Sequence, residues 1–357
     1  MELLTQHIRK ITEAITDWLQ PDNYALKEAI DKTVNDGLFS FADVKHRILT
    51  LKSTLKESDL LTWAQRSNLS MNVLTNKKIL CLHAGNLPLV GIQDVLAVVM
   101  TGGTYYGKLS RKDPWLLPTL LKKLVSHQLL DGSKWSVNLD DLTGDSTADA
   151  LLFAGSGKSV KKVEKKLLEL KMINPDTPPL IRTANYSIAF ITDNRPETMQ
   201  DLTEAVFRYG GAGCRSVAIV VAPFHLNDLK CSFTDYIEAF WLNNPQFRRP
   251  SESLKYRYAL NHALNIQQAW LGDFLIEENL VKPEEKYILQ WVQGDFNTLE
   301  NVIHQLNDGL QSVYSTSEFI GKQIESFIIE PLSQAQAPPV WWKPDHTDVI
   351  EWLQNEV

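Results

Sequence analysis

A chain of 357 residues is long enough to bury the cores of two ordinary domains without disulfide or metal staples. Its formal net charge of −7 works against a polyanionic partner such as nucleic acid, and hydrophobic and charged fractions of 44% and 22% exclude a disordered or fibrous chain. The apolar runs "VLAVVM" and "VAIVVA" are far too short to span a bilayer, and the N-terminus carries early charges in place of a secretory h-region. Cys81, Cys214 and Cys231 show no metal-ligand spacing, and the expectation is a cytoplasmic protein in a reducing environment.

Residues 1–70 read as helices, with apolar residues at helical spacing in "LLTQHIRKITEAITDWL" and "FADVKHRILTLKSTL". From Lys78 the pattern alternates. "KKILCLHAG" predicts a strand, "IQDVLAVVMTGG" a helix ended by glycine, "TYYGKLS" a strand, and "DPWLLPTLLKKLVSHQLL" a helix with Pro114 early in its first turn. Residues 131–149 read as a polar loop, "ADALLFAG" as a strand, and "SVKKVEKKLLEL" as a helix with Val160, Val163, Leu167 and Leu170 on one face. The Pro-rich "NPDTPPLIRTAN" is the candidate boundary. A second alternation follows: "YSIAFIT", "RPETMQDLTEAVFRYG", "CRSVAIVVAP", a long helical stretch over 255–279, "KYILQWV", "TLENVIHQL" and "LQSVYS", with a briefly helical Trp-rich tail. Strands and helices in this order predict parallel sheets covered by helices.

Four short stretches carry the candidate chemistry. "HAGNLPLVG" puts Asn86 in a turn after an apolar strand, where its amide is either exposed at the strand's carboxyl end or bonded to its own backbone. "YYGKLSRKD" leaves Lys108, Ser110 and Arg111 at the end of the next strand. "FAGSGKS" fails the phosphate-loop spacing, because the first glycine would fall at Leu152; Gly155 and Ser156 still open a helix whose backbone N–H groups can face a phosphate. In "RYGGAGCRSVAIVV", Cys214 is either a small buried hydrophobe or a nucleophile. The glycines allow close approach of a substrate, and Arg215 adds positive charge that favours thiolate. Cys81 and Cys231 read as structural, and Trp341, Trp342 and Trp352 as an acyl pocket or as packing of the tail on the body.

Taken together, "GNLPLVG", "YYGKLSRKDP", "LLFAGS" and "RYGGAGCRSVAIVVAP", with a weaker echo in "PDHTDVIEWL", resemble the acyl-CoA reductases related to LuxC, within the aldehyde dehydrogenase superfamily. The resemblance runs from about Lys78 to Ser315 and implies an α/β, aldehyde-dehydrogenase-like fold of two parallel-sheet domains, cofactor and catalytic, after an N-terminal helical region. The corresponding division is 1–185 for the helical region and dinucleotide-binding domain, 186–330 for the catalytic domain, and 331–357 for a tail packing back on the body. It further implies an active site between the domains, with Cys214 as nucleophile and Asn86 as an oxyanion-hole amide. Lys108 would hold the adenosine ribose, and Gly155 and Ser156 would face the pyrophosphate.

The implied reaction is NADPH-dependent reduction of a fatty acyl thioester, an acyl-CoA or acyl-carrier substrate, to the aldehyde through a cysteine acyl-enzyme. The rivals are a cysteine acyltransferase or thioesterase without dinucleotide, and a catalytically silent assembly subunit. Ser110, Arg111 or Lys112 could pair with a 2′-phosphate. Hydrolytic members of the superfamily carry a glutamate about where "LIRTANYS" stands. Here Arg182, a cation near the cleft or an exposed residue at the domain junction, takes its place, and that favours a thiol-dependent acylating enzyme. A homo-oligomer is expected, on the strand-like "LQSVYS" and the aromatic tail.

Overall fold

The computed structural model describes residues 2–70, 74–144, 146–246 and 249–357, and of Ser317 only the backbone. By its internal contacts the chain forms two units: 1–183 together with 339–357, and 184–338.

The first unit opens with four helices: α1 (Glu2–Trp18), α2 (Tyr24–Asn35), α3 (Phe41–Thr54) and α4 (Glu57–Arg66). In α1, Ile8, Ile11, Ile15 and Trp18 recur at three- and four-residue spacing and are all buried, which fixes the inward face. Ser40 opens α3 with a reciprocal cap. Its Oγ accepts the Asp43 N–H and the Asp43 carboxylate accepts the Ser40 N–H, both at 3.1 Å.

Next come β1 (Lys78–Leu82), α5 (Ile92–Thr101), β2 (Thr104–Lys108), α6 (Leu116–Ser126), β3 (Lys134–Ser136), β4 (Ala150–Ala154), α7 (Val160–Glu169) and β5 (Pro179–Arg182). The five strands form one sheet in the order β3-β2-β1-β4-β5, and every pairing is parallel. Residues alternate between its two cores: Ile79, Cys81, Tyr105 and Leu152 join the core that includes α1, α5 and α6, while Leu80, Leu82, Leu151 and Phe153 join a smaller one with Leu167 of α7. β3 lies within the stretch read from sequence as a loop. It is only three residues long and none of them is fully buried, so it shows no apolar run.

The second unit contains β6 (Tyr186–Phe190), α8 (Pro196–Phe207), β7 (Val217–Ala222), α9 (Leu226–Asn243), α10 (Ser253–Ala263), β8 (Gln268–Leu271), β9 (Phe274–Glu277), β10 (Ile288–Gln293), α11 (Phe296–Leu306), β11 (Leu310–Ser315), β12 (Gln323–Ile324) and β13 (Phe327–Pro331). Its sheet runs β12-β13-β11-β6-β7-β10-β9-β8, parallel throughout except for the terminal pairs β12/β13 and β8/β9. The helix expected over 255–279 is therefore wrong beyond residue 263. Gln268–Leu271 and Phe274–Glu277 pair antiparallel across the two-residue turn Gly272-Asp273, with Gly272 at φ +58, a tight-hairpin signal that a helical reading passes over.

β11 is buried along its whole length and paired with both β6 and β13. It offers no free edge, so the argument from "LQSVYS" to an oligomer falls away. After β13 the chain returns to the first unit, where α12 (Val349–Glu356) places Val349, Ile350 and Leu353 in the core, with Trp341 and Trp352 packed against it. Asp348 caps α12 and also accepts from Trp63 Nε1 at 3.1 Å and Ser67 Oγ at 3.0 Å. Among the described residues no helix is long and apolar enough to cross a membrane.

Candidate active site

The parallel pairing of β1, β2, β4 and β5 brings the loops after them to one edge of the first sheet. Chain direction across the sheet reverses at β1/β4: β2 and β3 lie to one side, β4 and β5 to the other. Ligands of open parallel sheets bind outside the strand carboxyl ends at such a reversal. Six of the sequence-predicted residues meet at this edge. Asn86 lies half-buried in the Gly85–Leu89 turn after β1, Lys108 ends β2, Ser110 and Arg111 follow it, and Gly155 and Ser156 follow β4.

Two of these loops are interlocked. A Cβ on Gly85 would lie 1.9 Å from Ser110 Oγ, so only glycine permits the approach. Ser110 Oγ also accepts the Lys112 N–H at 3.2 Å, and the Arg111 guanidinium donates to Asn138 at 3.2 Å. Lys108 is half-buried, and burial together with the Arg111 charge lowers its pKa. After β4, Ser156 is exposed, and a Cβ on Gly157 would meet nothing closer than Thr183 Cβ at 3.9 Å. The backbone that opens α7 is thus accessible to a bulky group. A cation at a strand end beside an open strand-to-helix turn suits the phosphates and ribose of a dinucleotide.

Beneath this edge lies a buried polar cluster. Arg182 of β5 makes a two-pronged ion pair with Asp94 of α5, at 2.8 and 2.7 Å. His83 sits beside it, Nδ1 3.6 Å from Asp94 and Nε2 2.7 Å from Tyr105 Oη, and desolvation drives its pKa down to about 4. Arg182 is 7% exposed, so the expectation of an exposed or cleft cation is corrected: a guanidinium on a strand buried beside α5 is retained because Asp94 meets both its prongs. Cys81 is fully buried nearby, and burial pushes its thiol well up.

Cys214 belongs to the second unit. α8 ends at Phe207, and Tyr209, Gly210 and Gly211 all take left-handed backbone, φ 58, 62 and 64. This run turns the chain toward β7; at Gly211 a Cβ would press on Val206 O and Phe274, each at 3.2 Å. The turn Gly213–Ser216 follows, closed by Ser216 N–H to Gly213 O at 3.1 Å. Cys214 sits within it, half-buried, its carbonyl accepting from Ser187 Oγ of β6 at 3.0 Å. Arg215 is buried. Its guanidinium donates to Ala335 O at 2.8 Å, Gln334 O at 3.0 Å and the Glu330 carboxylate at 2.9 Å. Glu330 compensates the charge expected to favour the thiolate, which makes Arg215 a clamp on the turn. Cys231 is exposed on α9, away from the buried face formed by Leu226, Leu229, Phe233, Ile237 and Phe240, against its reading as a structural thiol.

The chain is similar in fold to solved structures over most of its length. A benzaldehyde dehydrogenase, NAD-dependent, from Corynebacterium glutamicum aligns with TM-score 0.62 over 88% of this chain and 77% of that one, at 12% identity. The fold is that of the aldehyde dehydrogenases. A lactaldehyde dehydrogenase aligns at TM-score 0.60 and 13% identity, covering 88% and 74%, and aldehyde dehydrogenase 21 from Physcomitrella patens, in complex with the reaction product succinate, at 0.54 and 14%, covering 87% and 77%. No protein-family model and no curated protein matches the sequence. The aldehyde-dehydrogenase-like fold is therefore shared at identities too low to carry function with it.

Ser187, Glu330 and Gln334 hold the cysteine turn and were not found from the sequence. They lie far from Cys214 in the chain, and no local pattern links them to it. Asp113 was also missed. Its side chain accepts the Leu89 N–H just ahead of α6, which starts at Leu116 and so leaves Pro114 outside the helix expected to hold it in its first turn; "DP" before an apolar run was the available signal.

Proposed function

We propose that the chain is a nicotinamide-dependent oxidoreductase acting at the aldehyde level, and specifically that it reduces an acyl thioester, an acyl-CoA or acyl-carrier substrate, to the aldehyde with NADPH. The observation that carries this reading is Cys214: a half-buried thiol on a turn fixed from both flanks and entered through consecutive left-handed residues. Such a turn holds a nucleophile still.

In this reading the Cys214 thiolate attacks the thioester carbonyl, the thiol of the donor departs, and an enzyme thioester remains. The Asn86 amide and the Cys214 backbone N–H stabilise the oxyanion. One such donor is worth about 10²- to 10³-fold in rate. Lys108 would hold the ribose, Gly155 and Ser156 would face the pyrophosphate, and Ser110, Arg111 or Lys112 would meet the 2′-phosphate. NADPH, when bound, would supply hydride to the acyl carbon; collapse of the resulting thiohemiacetal then expels the aldehyde and regenerates the Cys214 thiolate, the one proton of the overall reaction having gone to the departing donor thiolate.

The segment "PPLIRTANYSIAF" offers no carboxylate or histidine as a base for water, and Arg182 within it is committed to Asp94. This supports discharge by hydride or thiol over hydrolysis. The test is to add acyl-CoA without NADPH, map the adduct by mass spectrometry, then add NADPH and detect aldehyde. An adduct on Cys214 that NADPH converts to aldehyde is expected; full activity in Cys214→Ala, or free fatty acid as the product, would overturn the reading.

A further inference from the structure

One buried carboxylate at the first sheet's loop edge has no part in the chemistry above. Asp113 is 7% exposed, and its Oδ2 accepts the Leu89 N–H at 2.8 Å, where Leu89 holds left-handed backbone at φ 58. Asp113 N–H donates in turn to Ser110 O at 3.3 Å, and Ser110 abuts Gly85. Gly85, Ser110, Asp113 and Leu89 therefore form a closed circuit of contacts, and Asn86 lies on the stretch of chain that the circuit pins at both ends.

We infer that Asp113 is a positioning residue for Asn86: by holding Leu89 in its left-handed conformation, the carboxylate sets the direction of the side-chain amide one turn earlier. The inference rests on the proposed role of Asn86. Its physical support is that this bond is made by a charged acceptor in a buried place. Burial pushes the Asp113 pKa up to about 6 against the pull of the Leu89 N–H, so the ionised form is kept at a cost to stability. A charged acceptor holds a backbone N–H about twice as strongly as a neutral one, and that grip is what a fixed turn needs.

The test measures single-turnover acylation of Cys214 by acyl-CoA, without NADPH, in the full chain. Asn86→Ala should slow it by about 10²- to 10³-fold. Asp113→Ala should slow it by about ten- to a hundredfold while the Kd for NADPH stays within about twofold, and Asp113→Asn, which keeps an acceptor without the charge, should fall between Ala and wild type. The variant carrying both Asn86→Ala and Asp113→Ala should be no slower than Asn86→Ala alone, because Asp113 acts through that amide. Wild-type acylation in Asp113→Ala, or losses that multiply in the double variant, would overturn the inference. Should Asp113→Ala not fold, Asp113→Ser, too short to reach the Leu89 N–H, takes its place. Failure of the underlying reading looks different: the wild-type cysteine itself takes no acyl group.

Discussion

Replacing Asp113 by Asn should stabilise the first unit at neutral pH and expose a pH dependence that the native chain conceals. Folding raises the Asp113 pKa from its ordinary 3.8 to about 6 and lowers that of His83 from 6.5 to about 4. His83 is faced by Asp94 from α5, Arg182 from β5, and Tyr105 and Lys108 from β2; burial is the main cause in both residues. Between about pH 4 and 6 the folded unit keeps a proton on Asp113 and the unfolded chain keeps one on His83, so the two slopes of stability against pH cancel. Above pH 6.5 both forms have lost them, and the penalty of ionising Asp113 remains, about 3 kcal/mol at 1.36 kcal/mol per pKa unit. Asp113→Asn removes that penalty at pH 7 and leaves His83 unopposed, so stability should then fall by about 3 kcal/mol as pH drops from 6.5 to 4. Equilibrium urea unfolding at pH 5, 6 and 7, followed by tryptophan fluorescence, reads both quantities. A variant less stable than wild type at pH 7, or one with the wild-type pH slope, would refute the reasoning.

Three further outcomes are expected. Arg182→Met strands the Asp94 carboxylate and should cost about 3–5 kcal/mol, most of it recovered when Asp94→Leu is added; thermal melts of the single and double variants check this. Gly211→Ala forces a side chain into φ +64 against Val206 O and Phe274, and should lower stability by about 1–3 kcal/mol, read by denaturant midpoint. A maleimide probe should label Cys231 first and Cys214 more slowly, with Cys81 protected until the chain unfolds; peptide mapping over time orders the three, and early labelling of Cys81 would contradict its burial.

Much of the fold was legible because its strands are short apolar runs punctuated by glycine and proline, each followed by a helix with one apolar face. Where that contrast weakens, so does the reading. β3 has no fully buried residue to mark it, and the Gly272-Asp273 hairpin interrupts a stretch whose apolar residues also suit a helix. At the site, the residues at strand ends were readable because a parallel sheet gathers them at one edge; Asn86, Lys108 and Gly155 lie there. What holds them was not. Arg182 reads as a surface cation until Asp94, 88 residues away, is seen to pair with it, and Arg215 reads as an activator until Glu330, 115 residues away, takes its charge.

The return of 339–357 to the first unit gives synthesis an unusual order. A nascent chain ordinarily closes its earlier domain before its later one is made. Here the strands and helices of 184–338 form an unbroken run, whereas the helices of 1–183 must wait for α12 to supply Val349, Ile350 and Leu353, and for Asp348 to meet Trp63 and Ser67. During translation the earlier unit therefore stays open, with apolar surface on α4 and α5 uncovered, while the later one can already be complete. A premature stop near residue 339 would leave α4 and α5 of the first unit as the exposed and aggregation-prone part, although every strand of its sheet had been made.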